Sequence, residues 1–165
     1  MVEKKANELP PLRETLVKLD MDEDALPTLE LDELWSFVVK QGSQVWIWVA
    51  MCRETRQVVG YVTGDRTEGT CRRLWQGIAE EYRKGKCYSD FWEAYRAVIP
   101  QEQHRAVGKG SGETSHVERW NNTLRQRLGR FIRKTLSFSK SWFMHEVCLR
   151  LFIHRYNCEL AIPSG

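Results

Sequence analysis

Hydrophobic positions along this 165-residue chain change period near residue 65, from two to a mixture of three and four. That change separates a sheet from the helices that follow. From Thr28 onward, Leu29, Leu31, Trp35 and Phe37 fall on one face at period two while Asp32 points to the other, which predicts a first strand. The turn Lys40-Gln41-Gly42-Ser43 leads into Val45–Met51, a run apolar on both faces and therefore expected as a buried strand. A polar turn over Arg53–Arg56 precedes a third strand, Val58–Val62. Three strands joined by short turns predict an antiparallel meander.

Asp65-Arg66-Thr67-Glu68 then reads as a helix start, with Asp65 as the cap and Glu68 three residues on. That helix is expected to run to about Arg83, burying Leu74, Trp75, Ile78 and Tyr82. A short strand at Lys86–Ser89 ends at Asp90, a helix follows over Trp92–Val98, and His104–Val107 makes a last strand. Beyond a flexible Gly108–Gly112 loop, Val117, Trp120, Leu124, Leu128 and Phe131 recur at helical spacing, and a final helix covers Trp142–Tyr156. The expected fold class is α/β: a mixed five-stranded sheet, three antiparallel strands then α-β-α-β, with flanking helices. Residues 1–27, with Pro10-Pro11 and the acidic Asp20–Asp24, read as an acidic leader or linker ahead of a domain over 28–165.

Composition narrows the class. A hydrophobic fraction of 42% and seven Trp exclude a disordered chain. No apolar run approaches the roughly 20 residues of a membrane span, and no signal-peptide core follows Lys4-Lys5, so a cytoplasmic location is expected. Five scattered cysteines without a CxxC pair read as reduced and mostly buried. Charge is unevenly placed. Residues 1–35 hold four Lys/Arg against ten Asp/Glu, whereas residues 103–165 hold eleven against four. Arg119, Arg125, Arg127, Arg130, Arg133, Lys134 and Lys140 occupy 119–140 without one acid, as a solvated helix face or a polyphosphate-binding surface does.

Three acids stand out beside that basic stretch. Asp32 sits inside an apolar strand, where an unpaired carboxylate is costly. Its neighbour Glu33 is on the opposite face and cannot aim at the same ion. Asp90 lies at the carboxyl end of a strand, where ligands of open α/β sheets collect. Glu118 borders the apolar stripe of its helix, with Asn122 and Arg125 four and seven residues on along the same side. Converging carboxylates on rigid elements can hold two divalent cations for phosphodiester chemistry. Each acid also has a plainer reading: a hairpin-flanking acid for Asp32, a helix cap for Asp90, half of a surface ion pair for Glu118. Two His/Cys spacings, His145-x-x-Cys148 and His154-x-x-x-Cys158, do not make a zinc site, because His145 and His154 face opposite sides of a continuous helix.

Longer strings carry a resemblance. Asp32-Glu33-Leu34-Trp35-Ser36-Phe37-Val38, Gly60-Tyr61-Val62-Thr63-Gly64-Asp65-Arg66, Ser89-Asp90-Phe91-Trp92-Glu93-Ala94-Tyr95, His104-Arg105-Ala106-Val107-Gly108-Lys109, Val117-Glu118-Arg119-Trp120-Asn121-Asn122-Thr123-Leu124-Arg125-Gln126 and Arg133-Lys134-Thr135-Leu136-Ser137-Phe138-Ser139-Lys140 stand in that order. On these strings the chain resembles the IS1-family insertion-sequence transposases from about Glu30 to Asn157. The resemblance implies an RNase H-like fold and a DDE metal site formed by Asp32, Asp90 and Glu118. It implies two Mg²⁺ or Mn²⁺ ions, nicking of double-stranded DNA at transposon ends, and attack of the freed 3′-hydroxyl on target DNA. Arg119, Asn122, Arg125 and Lys134 match family positions near the active site or DNA, and the basic 119–140 segment is expected on the DNA backbone.

The family's full-length proteins carry an amino-terminal zinc-finger and helix-turn-helix region that has no counterpart in residues 1–27. The resemblance is to the product of the second reading frame, whose expected partner is the first-frame DNA-binding protein or its fusion. A homo-oligomer on DNA, in a nucleoid-associated bacterial or archaeal setting, completes the expectation. Two alternatives remain: a non-catalytic DNA-binding modulator of the full transposase, and a related RNase H-like nuclease such as a junction resolvase.

Overall fold

A computed structural model of the chain describes residues 2–38, 40–131 and 141–163, without the side chains of 40–42 and 130. Its centre is a five-stranded sheet in the order β3-β2-β1-β4-β5. Strands β1 (Leu29–Val38), β2 (Lys40–Cys52) and β3 (Val58–Gly64) form the antiparallel meander, and β4 (Cys87–Ser89) and β5 (His104–Ala106) run parallel to β1. The expected mixed α/β sheet is present.

Alternation along the strands decides the layers. On one face Leu29, Leu31, Trp48 and Ala50 pack with Leu74 and Ile78 and with Tyr95. These come from α2 (Glu68–Gly77), the turn after it, and α3 (Glu93–Val98). On the other face Leu34, Ile47, Val49 and Met51 pack with Val117, Trp120 and Leu124 of α4 (Ser115–Arg127) and with Leu149 and Ile153 of α5 (Trp142–Ala161). The Val45–Met51 run is thus covered on both sides, as a doubly apolar strand requires.

Several boundaries differ from expectation for local reasons. The turn placed at Lys40–Ser43 falls within β2. The helix expected to reach Arg83 ends at Gly77, where Ile78 takes an extended ψ of 132°. Ile78 closes over β3 at Gly60, where a Cβ would strike it. A short 3-10 turn at Glu80–Tyr82 continues the buried path. Asp65 does not cap the helix. The cap position is Thr67, and Asp65 instead accepts hydrogen bonds from the Thr67 and Thr70 hydroxyls at 2.6 Å each, which hold its carboxyl below the usual range. The helix of Glu118 stops at Arg127, and Phe131 reaches the same core through a 3-10 turn at Gly129–Phe131.

The described part of the segment read as a leader lies against this body. A short helix α1 (Val2–Asn7) precedes a 3-10 turn at Leu12–Thr15, Leu16 and Leu19 pack on the first core, and Leu12 packs on the second. Buried Gln57 fastens it: its Oε1 accepts from Val17 N at 2.8 Å, and its Nε2 donates to Thr15 O at 2.9 Å and to Asn157 O at 3.0 Å.

Gly85 sets the entry to β4. A Cβ there would overlap the Pro27 carbonyl, next to the bond from Leu29 N to Lys86 O that starts the parallel ladder. Gly85→Ala is expected to cost about 2 kcal/mol, as overpacking against backbone does. A thermal melt indistinguishable from the parent would show that the Pro27 turn yields freely.

Candidate active site

The parallel pairing of β1 with β4 determines where the acids meet. Leu29 pairs with Cys87 and Glu30 with Tyr88, and the same register continued by two residues sets Asp32 beside Asp90. Helix α4 packs on β1 and β2 and brings Glu118 to the same place. Asp32, Asp90 and Glu118 line one open pocket of about 270 Å³, together with Lys109, Thr114, Asn121, Asn122 and Arg125. The structure therefore gathers all three acids singled out from sequence, with Asn122 and Arg125 beside Glu118 as the helical spacing predicts.

Each acid has a distinct setting. The Asp32 carboxylate accepts from Asn121 Nδ2 at 2.7 Å. Burial, then the adjacent Glu33, then Asp90 and Glu118 push its carboxyl from 3.8 up to about 7. Asp90 Oδ1 accepts from Trp92 N at 2.9 Å, so this acid also fixes the turn into α3. Glu118 Oε1 accepts from the Thr114 hydroxyl at 2.7 Å. Glu33 faces away, as expected: its Oε2 accepts from Tyr95 OH at 2.6 Å and its Oε1 from Arg66 at 2.7 Å, with Arg66 stacked over Trp46 and Trp92.

Glu30 was not singled out in the sequence, and it proves to be the anchor of the site. It is fully buried on the Asp32 face of β1. Its Oε2 accepts from His116 N at 2.9 Å and Val117 N at 3.0 Å, while its Oε1 meets His116 Nδ1 at 2.6 Å and Arg53 Nε at 3.0 Å. Thr114 occupies the cap position of α4 without a side-chain cap bond. The cap is supplied instead from β1, by a carboxylate favourable at a helix N-terminus. This tie fixes the start of the Glu118 helix two residues from Asp32. The available signal was an acid inside an apolar strand, on the same face as Asp32, which had to find partners.

Among the expected DNA contacts, Arg119 is exposed on α4, and Asn122 and Arg125 line the pocket. Arg127 turns toward α5, where it stands 3.8 Å from Glu159. Arg133, Lys134 and Lys140 lie outside the described residues, as does the side chain of Arg130. His145 is buried against Ser36 Oγ at 2.7 Å, and His154 lies between the Arg150 and Pro10 carbonyls. Those contacts are the packing roles expected in place of zinc. All five cysteines are free and three are buried. No helix among the described residues is long and apolar enough to cross a membrane.

The donor set fits a divalent cation in chemistry: hard carboxylate and amide oxygens, one acid whose carboxyl burial and neighbouring carboxylates push up to about 7, and a buried Asn121 Oδ1 with no hydrogen-bond partner among the described residues. Among the described residues, no three His, Cys, Asp or Glu side chains stand close enough together to hold one ion; Glu118 accepts from the Thr114 hydroxyl and Asp90 from the Trp92 amide.

Asp32 gives a pH prediction. Its folded carboxyl binds a proton more tightly than the unfolded one, so its contribution to stability is complete below about pH 4 and is lost as pH rises to 7. In cation-free protein this loss is worth at most about 4 kcal/mol, at 1.36 kcal/mol per unit. Melting temperature measured from pH 4 to 8 should fall for the parent and fall much less for Asp32→Asn. Parallel falls in both would contradict the assignment.

The architecture defines an α/β domain with an acidic pocket beside the middle of β1 and just past the carboxyl ends of β4 and β5, bordered by Lys109 and Arg125. Comparison with known proteins carries this to a family. The family model described as IS1 transposase matches residues 25–158. Insertion element iso-IS1n protein InsB of Shigella dysenteriae is 39% identical over 127 residues, covering 77% of this chain and 94% of that protein. Insertion element IS1 protein InsB of Shigella flexneri is 36% identical over 117 residues, 71% of this chain and 86% of its own length. Insertion element IS1 4 protein InsB of Escherichia coli (strain K12) is 34% identical over 123 residues, covering 74% and 71%. The chain belongs to the IS1 transposase family.

Proposed function

We propose that this chain is the catalytic part of a DNA transposase, an RNase H-like domain over residues 28–165 whose Asp32, Asp90 and Glu118 hold divalent cations. The observation that carries this reading is the meeting of the three acids in one pocket, in a chain of this family. The sheet order β3-β2-β1-β4-β5, with only β2 antiparallel to its neighbours, supports the fold assignment.

Mg²⁺ or Mn²⁺, two ions in this reading, would activate the attacking oxygen and offset charge on the leaving one. The protein's own residues do the rest. Asp32 and Asp90 present oxygens from adjacent parallel strands, and Glu118 approaches from α4, whose start Glu30 fixes. Lys109 and Arg125 border the acids, where they can hold the phosphate and fix its register. Exposed Arg119 and the basic residues beyond it follow the DNA backbone. In the first step a water oxygen bonds to phosphorus as the P–O bond to the 3′-oxygen breaks. In the second that 3′-hydroxyl attacks a target phosphodiester, again forming one P–O bond as another breaks. Specific end recognition comes from a first-frame DNA-binding partner or fusion, and the active assembly is a homo-oligomer on DNA.

The test is cleavage and strand transfer on DNA with inverted-repeat ends in Mg²⁺, using the chain alone and fused behind a recognition module. Joined products from the fusion support the proposal. Binding without cutting in both forms would favour a non-catalytic modulator, and preferential cutting of branched junctions would favour a resolvase-like nuclease.

A further inference from the structure

Asn121 and Asn122 both lie within a helical turn of Glu118, and the amide that touches an acid is that of Asn121. Asn121 is 3% exposed, and its Nδ2 donates to Asp32 Oδ2 at 2.7 Å. Its Oδ1 is also buried and has no hydrogen-bond partner among the described residues. Both atoms belong to a residue that lines the acidic pocket three positions after Glu118, on the same side of α4.

A purely structural Asn would tie α4 to β1 and nothing more. Val117, Trp120 and Leu124 already seat α4 on the sheet. A structural amide buried in that seam is also ordinarily satisfied at both ends, because an orphaned acceptor carries its full desolvation cost. Here one end grips an acid, and the other is a buried oxygen without a hydrogen-bond partner among the described residues. A hydrated cation supplies what is missing: its bound waters are donors, and its charge draws carboxylates and amide oxygen together.

We propose that Asn121 is a positioning residue of the cation site, an inference that rests on the reading of Asp32, Asp90 and Glu118 given above. Its Nδ2 pins Asp32 Oδ2, so that the other carboxylate oxygen is left for the cation, and its Oδ1 accepts a hydrogen bond from a water of the bound ion. This is the outer-shell role by which hydrogen-bonding partners orient a ligand.

The test measures Mn²⁺ binding to free protein by electron paramagnetic resonance, without DNA or turnover. Asn121→Ala is expected to weaken Mn²⁺ by about 10–100-fold, the range for loss of an outer-shell partner. In cleavage assays the same variant should raise the Mg²⁺ concentration for half-maximal rate by a similar factor, with kcat at saturating Mg²⁺ changed much less. Circular dichroism checks the fold, and where Asn121→Ala does not fold, Asn121→Ser decides. Parent-like Mn²⁺ affinity in the folded variant overturns the inference, provided Asp32→Asn in the same experiment lowers it. If Asp32→Asn also binds Mn²⁺ like the parent, the three-acid site itself is what fails.

Discussion

Asp90→Asn is expected to lower cleavage and strand transfer about 1000-fold, a loss of roughly 4 kcal/mol of transition-state stabilisation, with little effect on folding or DNA binding. The reason for the separation is local. Asp90 uses Oδ1 to accept from Trp92 N at the turn into α3, and an asparagine oxygen accepts that bond equally well. What the substitution removes is one negative charge from a pocket whose proposed work is to hold cations. DNA binding should hold or tighten, since one repulsion toward phosphate is gone. Gel-shift and strand-transfer assays on the same preparation separate the two effects. A variant that melts like the parent, binds DNA and still cuts at the parental rate would remove Asp90 from the chemistry.

Glu30→Ala carries the largest expected cost in stability, about 3–5 kcal/mol, as breaking a buried hydrogen-bonded ion pair does. Four donors converge on this carboxylate: two backbone amides of α4, the His116 ring and Arg53. Removal leaves the first turn of α4 uncapped, because Thr114 makes no side-chain cap bond to replace it. Arg53 keeps a contact to the Glu113 carboxylate at 3.0 Å and is partly exposed, which places the loss toward the lower end of that range. Glu30→Gln keeps one acceptor and should cost less. Because Glu118 rides on the released turn, both variants should also require more Mg²⁺ for cutting. Urea unfolding of the two variants checks the order, and an Ala variant as stable as the parent would contradict the anchoring role.

How much of this was legible in the chain depends on the kind of interaction. The sheet was readable because burial imposes period two. Leu29 and Leu31 against Asp32, and the doubly apolar Val45–Met51, state their faces directly. The stripe Val117, Trp120, Leu124 likewise oriented α4 and placed Glu118 at the pocket. Helix ends were less readable, since Ile78 closes over Gly60 of β3, a contact with no local signature. Asp65 looked like a cap because its spacing to Glu68 fits one, but the cap position falls two residues later at Thr67 and the Asp65 carboxylate accepts from the Thr67 and Thr70 hydroxyls instead.

Glu30 and Asn121 were missed for a related reason. Their partners are distant in sequence, so each looked like one polar residue among many until β1 and α4 were brought together. Between the adjacent Asn121 and Asn122, helical spacing from Glu118 admits both, at three and four residues, and only packing decides which one reaches Asp32.

In the function proposed above, Asp32, Asp90 and Glu118 form one divalent-cation site. Its most direct measurement is the anomalous X-ray signal from crystals of the chain grown with Mn²⁺. Mn²⁺ density is expected among the oxygens of Asp32, Asp90 and Glu118. Mn²⁺ that binds elsewhere while this pocket stays empty at saturating concentration would contradict it.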